Sequence, residues 1–323
     1  MYLFSSLIYF FYFSTFFSYG DVSRYLNSED SQIYNSFSTA FTINYFSFWV
    51  SILSSYGLFF SNLLFTSFLL FKLLHKLPGS LMLIFLIPGV TLWISTPSKE
   101  SLIFQSTALL ILLRQYDPYH LIKIIFLYFL YQYKPHLAVV SIPFMILMQF
   151  TDGGKRDVMI LFITITFLFF ALLGYFNFLH PYIDNLLNII GYHFSYYANT
   201  GVNDPLVGQY SFFQNIPEGL YRTWFIIYPN ELGNYGVYVN YIFFESIFIL
   251  GLIFYIFFNY FNKASVSQKI IILLFLVSIS VAVYPFMIYN LGSAWRYKVS
   301  FLTYIVLAFY FFNQVNEGKI ATE

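Results

Sequence analysis

The chain has no cysteine, which excludes disulfides, thiolate catalysis and Cys-based zinc or iron–sulfur centres and leaves the redox compartment open. Charge is scarce too: Asp, Glu, Lys and Arg make up 9% of 323 residues, where soluble domains carry roughly a quarter. The net charge of +1 comes without a clustered basic excess, so an extended nucleic-acid surface is excluded. HExxH, a P-loop, a Rossmann glycine pattern and a nucleophile elbow are all missing, which removes support for zinc proteolysis, nucleotide hydrolysis and serine hydrolysis. Neither an internal repeat nor a low-complexity linker nor a separate soluble domain is visible.

What the chain has instead is apolar length. Hydrophobic residues make up 59%, with 44 Phe and 31 Tyr, so water is not the solvent for most of its surface. Amphipathic rings suit a bilayer interface, although AT-rich coding raises Phe and Tyr equally well, so the aromatics alone name no ligand. A spanning helix needs about 20 apolar residues. About ten candidates occur, near 2–19, 45–71, 80–96, 100–114, 119–133, 136–150, 158–179, 237–260, 268–289 and 298–314. The expected fold is an all-α, polytopic transmembrane helix bundle forming one integral membrane domain over 1–323. Residues 1–19 lack a basic n-region and a cleavage site and read as a retained first span; the last residues read as a frayed tail.

Cytoplasmic loops carry the excess of Lys and Arg. With the N-terminus inside, nine basic residues fall on the cytoplasmic side and six outside, and the long outer segments 20–44 and 180–236 hold only Arg24 and Arg222. Both termini are therefore expected inside. Eight of the 14 acids then fall outside, Asp21, Glu29, Asp30, Glu100, Asp184, Asp204, Glu218 and Glu231, with Glu245 a little over two turns into the eighth span. Ionisable groups in or near a membrane are costly and mark candidate function. The large outer loop 180–236, expected to hold short amphipathic helices, is the main polar interruption.

Five constellations follow from this. Arg222 sits in GLYRTWFIIYPNE, nine residues before Glu231. A guanidinium there suits bidentate phosphate binding, and the carboxylate suits proton acceptance from a hydroxyl; equally, such an Arg snorkels and anchors an interfacial helix. Arg296 and Lys298, in GSAWRYK, suit a diphosphate or an ordinary basic belt. Lys134-Pro135-His136 reads as a tight outer turn, either an anion site or a plain hairpin. Lys99 and Glu100 follow Pro97-Ser98, which reads as a helix start, with Glu100 favourable near the N-terminus; the same N-terminus can hold an anion. In the first outer loop Asp21, Arg24 and the pair Glu29-Asp30 form an acidic cluster, a solvated loop or an acceptor site.

Taken in order, these motifs resemble the O-antigen polymerase (Wzy-like) group of bacterial polysaccharide polymerases. The resemblance runs through Asp21 to Tyr25 (D-x-x-R-Y), Trp93, Ser95, Lys99 and Glu100, and Lys134 to His136. It continues through Tyr221, Arg222, Pro229 and Glu231, and ends at Gly292, Arg296, Tyr297 and Lys298. The chain departs from that pattern at Lys134, where Arg is usual, and at Thr223, where Pro is usual, and it is short for the group.

The resemblance implies a GT-C-like glycosyltransferase at the outer face of the bacterial inner membrane. It would join undecaprenyl-diphosphate-linked oligosaccharide repeat units into O-antigen or capsule polysaccharide of the lipopolysaccharide kind. Glu231 is the first choice for the base, ahead of Asp21 and Glu100. Arg222, Arg296 and Lys298 are expected to bind the lipid diphosphate, with Lys134, His136, Arg24 and Lys99 assisting, and the first three together with Lys134 are expected to line one outer cavity. No cofactor or metal is expected; membrane lipid and the lipid-linked oligosaccharides are partners, and a chain-length regulator is open as another. Two rivals stand beside it: a GT-C transferase using a polyprenyl monophosphate donor with Glu29 and Asp30, and a lipid-linked glycan flippase or transporter without chemistry.

Overall fold

The computed structural model describes residues 37–113, 121–135, 137–138, 140–141, 143–144, 181–182, 184–185, 216–225, 227–233, 237–262, 265–287 and 291–320. Among them every element is helical and no strand occurs. In chain order these are α1 (Phe37–Leu73), α2 (Gly79–Leu86), α3 (Pro88–Ser95), α4 (Lys99–Leu113), α5 (Leu121–Tyr133), α6 (Ile216–Phe225), a 3-10 turn at Pro229–Glu231, α7 (Val237–Phe261), α8 (Val266–Met287) and α9 (Leu291–Ile320). The expected spans at 2–19 and 158–179, most of the span at 136–150, and Asp21, Arg24, Glu29, Asp30 and His136 lie outside the described residues. The chain forms two compact units, Met1–Val139 with Leu302–Leu307, and Val140–Phe301 with Ala308–Glu323.

In the first unit α1 is apolar on both sides. Phe48, Ile52, Tyr56, Phe60, Leu64 and Phe68 repeat every four residues and are exposed, while Phe59, Leu63, Thr66, Leu70 and Leu73 on the opposite face are buried. A long helix that is apolar all round suits a hydrocarbon solvent outside and a protein core inside. The helix bends at Ser54, whose φ of 64° and ψ of 167° are non-helical. The Ser54 hydroxyl accepts the Gly57 N–H at 3.4 Å, so it caps the arm that follows. Gly57 eases the packing beside the bend, since a Cβ there would lie a tight 3.2 Å from the Leu53 Cβ. That second arm, 55–73, is about 28 Å long at 1.5 Å per residue, close to a hydrocarbon thickness of about 30 Å.

The expected span at 80–96 is two helices rather than one. α2 and α3 have 8 residues each, and Ile87 between them is extended (φ −63°, ψ 130°). Pro88 causes the break, since it has no N–H to continue α2 and disfavours helical backbone in the residue before it. At the first position of α3 it is pre-organised for a helix start. α4 packs against α1, α3 and α5, with Phe85 and Phe104 meeting edge-on at 4.9 Å.

In the second unit α6 packs on α7 and α8. α7 buries Ile242, Ile249, Ile253 and Ile256 and exposes Phe244, Phe248, Phe254 and Phe258, again apolar on both faces. Among the described residues two helices are long and apolar enough to cross a membrane, Phe41–Leu73 and Asn240–Tyr260, and two shorter ones are apolar, Ile124–Tyr133 and Val266–Val281.

Candidate functional site

Two clusters of charged side chains are described, one in each unit. In the first, Ser98 caps α4: its hydroxyl accepts the Ser101 N–H at 3.2 Å, and the Ser101 hydroxyl accepts the Ser98 N–H at 3.1 Å. This reciprocal cap is the helix start read at Pro97-Ser98. It sets Glu100 in the first turn, where Lys134 Nζ meets Glu100 Oε1 at 2.8 Å. Both are almost wholly inside, at 3% and 1% exposure. Lys134 is the one non-helical residue between Tyr133 and Pro135, and its carbonyl accepts the N–H groups of Leu137 and Ala138. The break before Pro135 thus turns an ammonium inward onto a carboxylate.

Beside this pair α3 ends against a buried polar seam. Asn62 Nδ2 donates to the Ser95 carbonyl at 2.7 Å, Thr66 Oγ1 donates to the Ile94 carbonyl at 3.1 Å, and Gln105 Nε2 donates to Asn62 Oδ1 at 2.7 Å. Carbonyls in a last helical turn have no intrahelical donor, so Asn62 and Thr66 of α1 supply donors instead, as the Ser98 hydroxyl does for the Trp93 carbonyl at 3.0 Å. Asn62, Thr66 and Gln105 escape sequence reasoning. The only signal was a carboxamide standing inside an otherwise apolar run.

In the second unit α6 is strongly amphipathic and carries Arg222. Pro217 falls in its first turn, where a missing N–H costs nothing. Beyond α6, Tyr228 is extended at ψ 154° before Pro229, as a residue before proline tends to be. Glu231 closes the 3-10 turn, with Oε2 accepting the Tyr228 N–H at 2.8 Å. Gly233, at φ +89°, takes the left-handed backbone that carries the chain toward α7.

Arg222 Nη2 lies 3.4 Å from Glu231 Oε1, with the two side chains 15% and 23% exposed. The guanidinium also lies 5.2 Å from the Tyr228 ring centre. Tyr228 stacks on Tyr221 at 4.3 Å and Tyr221 on Phe225 at 4.9 Å. This ladder stacks ring on ring and so braces the turn. Burial, together with the neighbouring Tyr228 and Glu231, pushes the Tyr221 phenol above its ordinary range, with Arg222 opposing; Tyr221 stays a neutral hydroxyl.

Arg296 is half-buried near the start of α9 and Lys298 is 1% exposed. Lys298 Nζ donates to the Trp224 carbonyl at 2.6 Å and to Ser246 Oγ at 2.5 Å. Of the four cations expected around one cavity, Arg222, Arg296 and Lys298 belong to the second unit and Lys134 to the first. Lys134 and Lys298 are both buried, each within its own unit. Lys99 is half-buried at the first position of α4. Among the described residues no group of three or more His, Asp or Glu is placed to hold a metal ion.

Comparison with protein-family models, with curated proteins and with solved structures finds no match.

Proposed function

We propose that the chain is a multi-pass membrane glycosyltransferase that joins lipid-diphosphate-linked oligosaccharide units, with about ten spans in a GT-C-like bundle, its termini in the cytoplasm and its site at the outer face of the bacterial inner membrane. The observation that carries this reading is the Arg222–Glu231 pair. It is loose, partly open to solvent, and set on an amphipathic helix that packs against α7, a helix long enough to span. A guanidinium presents five N–H donors in a fork matched to phosphate oxygens. A carboxylate oriented by a backbone N–H is placed to receive a proton.

In the reaction the acceptor sugar hydroxyl gives its proton to Glu231 as its oxygen bonds to the donor's anomeric carbon. The bond from that carbon to the diphosphate oxygen breaks, and the electron pair leaves on the polyprenyl diphosphate. Arg222 and Arg296 stabilise that charge. Replacing either Arg by Ala is expected to abolish long-chain glycan while the protein stays in the membrane. Unchanged chain length in both variants would sink the assignment.

A specific feature favours a second reading, a lipid-linked glycan flippase. The first unit combines a helix broken at Pro88 with a buried polar seam and a buried ion pair, and discontinuous helices with interior polar groups are what transporters use. Reconstituted vesicles separate the two. Transbilayer movement of a labelled lipid-linked oligosaccharide without lengthening supports the flippase, and lengthening supports the polymerase.

A further inference from the structure

The motif GSAWRYK suggested that Lys298 binds the substrate diphosphate, but its surroundings describe another task. Its ammonium is 1% exposed and donates to two protein oxygens, the Trp224 carbonyl and Ser246 Oγ. Trp224 is in the last turn of α6, where carbonyls lack an intrahelical donor and a cation is favoured by the helix dipole. Ser246, on α7, donates its own O–H to the Ile242 carbonyl at 2.6 Å. Glu245, beside it in the chain, is buried too. The Trp224 ring meets Phe301, on α9 like Lys298, edge-on at 5.3 Å.

We infer that Lys298 is a positioning residue that ties the end of α6 to α7 and α9, and so fixes where the neighbouring Arg222 stands. Two of the three ammonium N–H groups are spent on the protein and the side chain is 1% exposed, so reaching a diphosphate outside would draw the ammonium away from the Trp224 carbonyl and Ser246, at the cost of the hydrogen bonds it makes there. The role in catalysis rests on the glycosyltransferase reading; the docking of α6 does not.

Because the chain is free of cysteine, one introduced thiol reports one place. Thr223→Cys puts it on the buried face of α6, where Thr223 is 0% exposed, and Thr66→Cys puts a control in the first unit. Labelling is followed in native membranes with a small maleimide. The thiol at 223 is expected to react slowly, and Lys298→Met is expected to speed it at least tenfold while the thiol at 66 stays protected. If both sites open, Lys298 is only a general stabiliser; if neither opens, it does not hold α6, and either result overturns the inference. Should Lys298→Met fail to accumulate, Ser246→Ala removes one arm of the tie and is expected to speed labelling several-fold, and an unchanged rate overturns it equally.

Glycan synthesis tests the other half. Chain extension in Lys298→Met and in Ser246→Ala is expected to fall in step with the opening of α6, whereas loss of extension in Lys298→Met while the thiol at 223 stays protected means that Lys298 touches substrate and defeats the proposal. Opening of α6 in a protein that lengthens no glycan leaves the tie standing and removes the polymerase reading alone.

Discussion

At the scale of single residues, Glu231 does two jobs that a pair of substitutions separates. Its Oε2 holds the Tyr228 N–H and its Oε1 faces Arg222. Gln in its place can still accept from the N–H but cannot take a proton, so Glu231→Gln is expected to keep thermal stability in detergent and lose chain extension. Glu231→Ala is expected to lose extension and also about 1 kcal/mol of stability with the cap. Full extension by the Gln variant would remove Glu231 as the base. The Glu100–Lys134 pair behaves in the opposite sense, because both partners are buried. Lys134→Met leaves an uncompensated carboxylate and is expected to cost about 3–5 kcal/mol, while Lys134→Met with Glu100→Leu is expected to cost much less. Thermal unfolding of the three proteins shows the difference. Both residues stand out in the sequence as interruptions of apolar runs, and so does the cap at Ser98. Their meeting across 34 positions does not, since that depends on how α4 and α5 pack.

At the scale of elements, hydropathy located α4, α5, α7 and α8 to within a few residues, because apolar residues dominate those helices. It failed where backbone hydrogen bonding, rather than composition, decides. The stretch 80–96 is apolar enough to span, yet Pro88 divides it into two helices of 8 residues, and the proline was there to be read. α1 starts at Phe37, inside the segment expected to be outer loop, because FSTAFTIN carries no breaker between Phe37 and the span. The bend at Ser54 was less legible, since Ser54-Ser55 in an apolar run shows a cap only once the following arm is seen to begin there. Its backbone lies in a region kept essentially for glycine, at a strain of about 1–3 kcal/mol. Ser54→Gly relieves that strain while losing the capping hydroxyl, and Gly itself is a tolerated cap. It is expected to match or exceed the native thermal stability, whereas Ser54→Ala keeps the strain, loses the cap and is expected to fall by about 1 kcal/mol. A glycine variant less stable than the alanine variant would mean that the bend is not where strain is stored.

At the scale of the whole molecule, the decisive property is the solvent outside α1 and α7, on which the glycosyltransferase and flippase readings both depend. Composition alone pointed to hydrocarbon, and the structure adds that the exposed faces of these helices are as apolar as their buried ones. A long apolar helix in a water-soluble protein buries its apolar side, so a charge on its outer face costs little, typically within about 0.5 kcal/mol. In a bilayer the same charge at mid-depth costs about 2.5–3.5 kcal/mol by insertion scales. Leu64 is 60% exposed and lies near the centre of the arm 55–73, so Leu64→Lys has no core contact of weight to lose and no interface within reach for its ammonium. Tyr56, 76% exposed, lies near the end of that arm, where a lysine can extend its ammonium to the headgroups. If α1 crosses the membrane, Leu64→Lys is expected to cut the carbonate-resistant, membrane-integrated fraction sharply and Tyr56→Lys to leave it nearly whole. Equal tolerance of both would put water, not lipid, around α1 and would remove the physical ground for a lipid-linked substrate at Arg222.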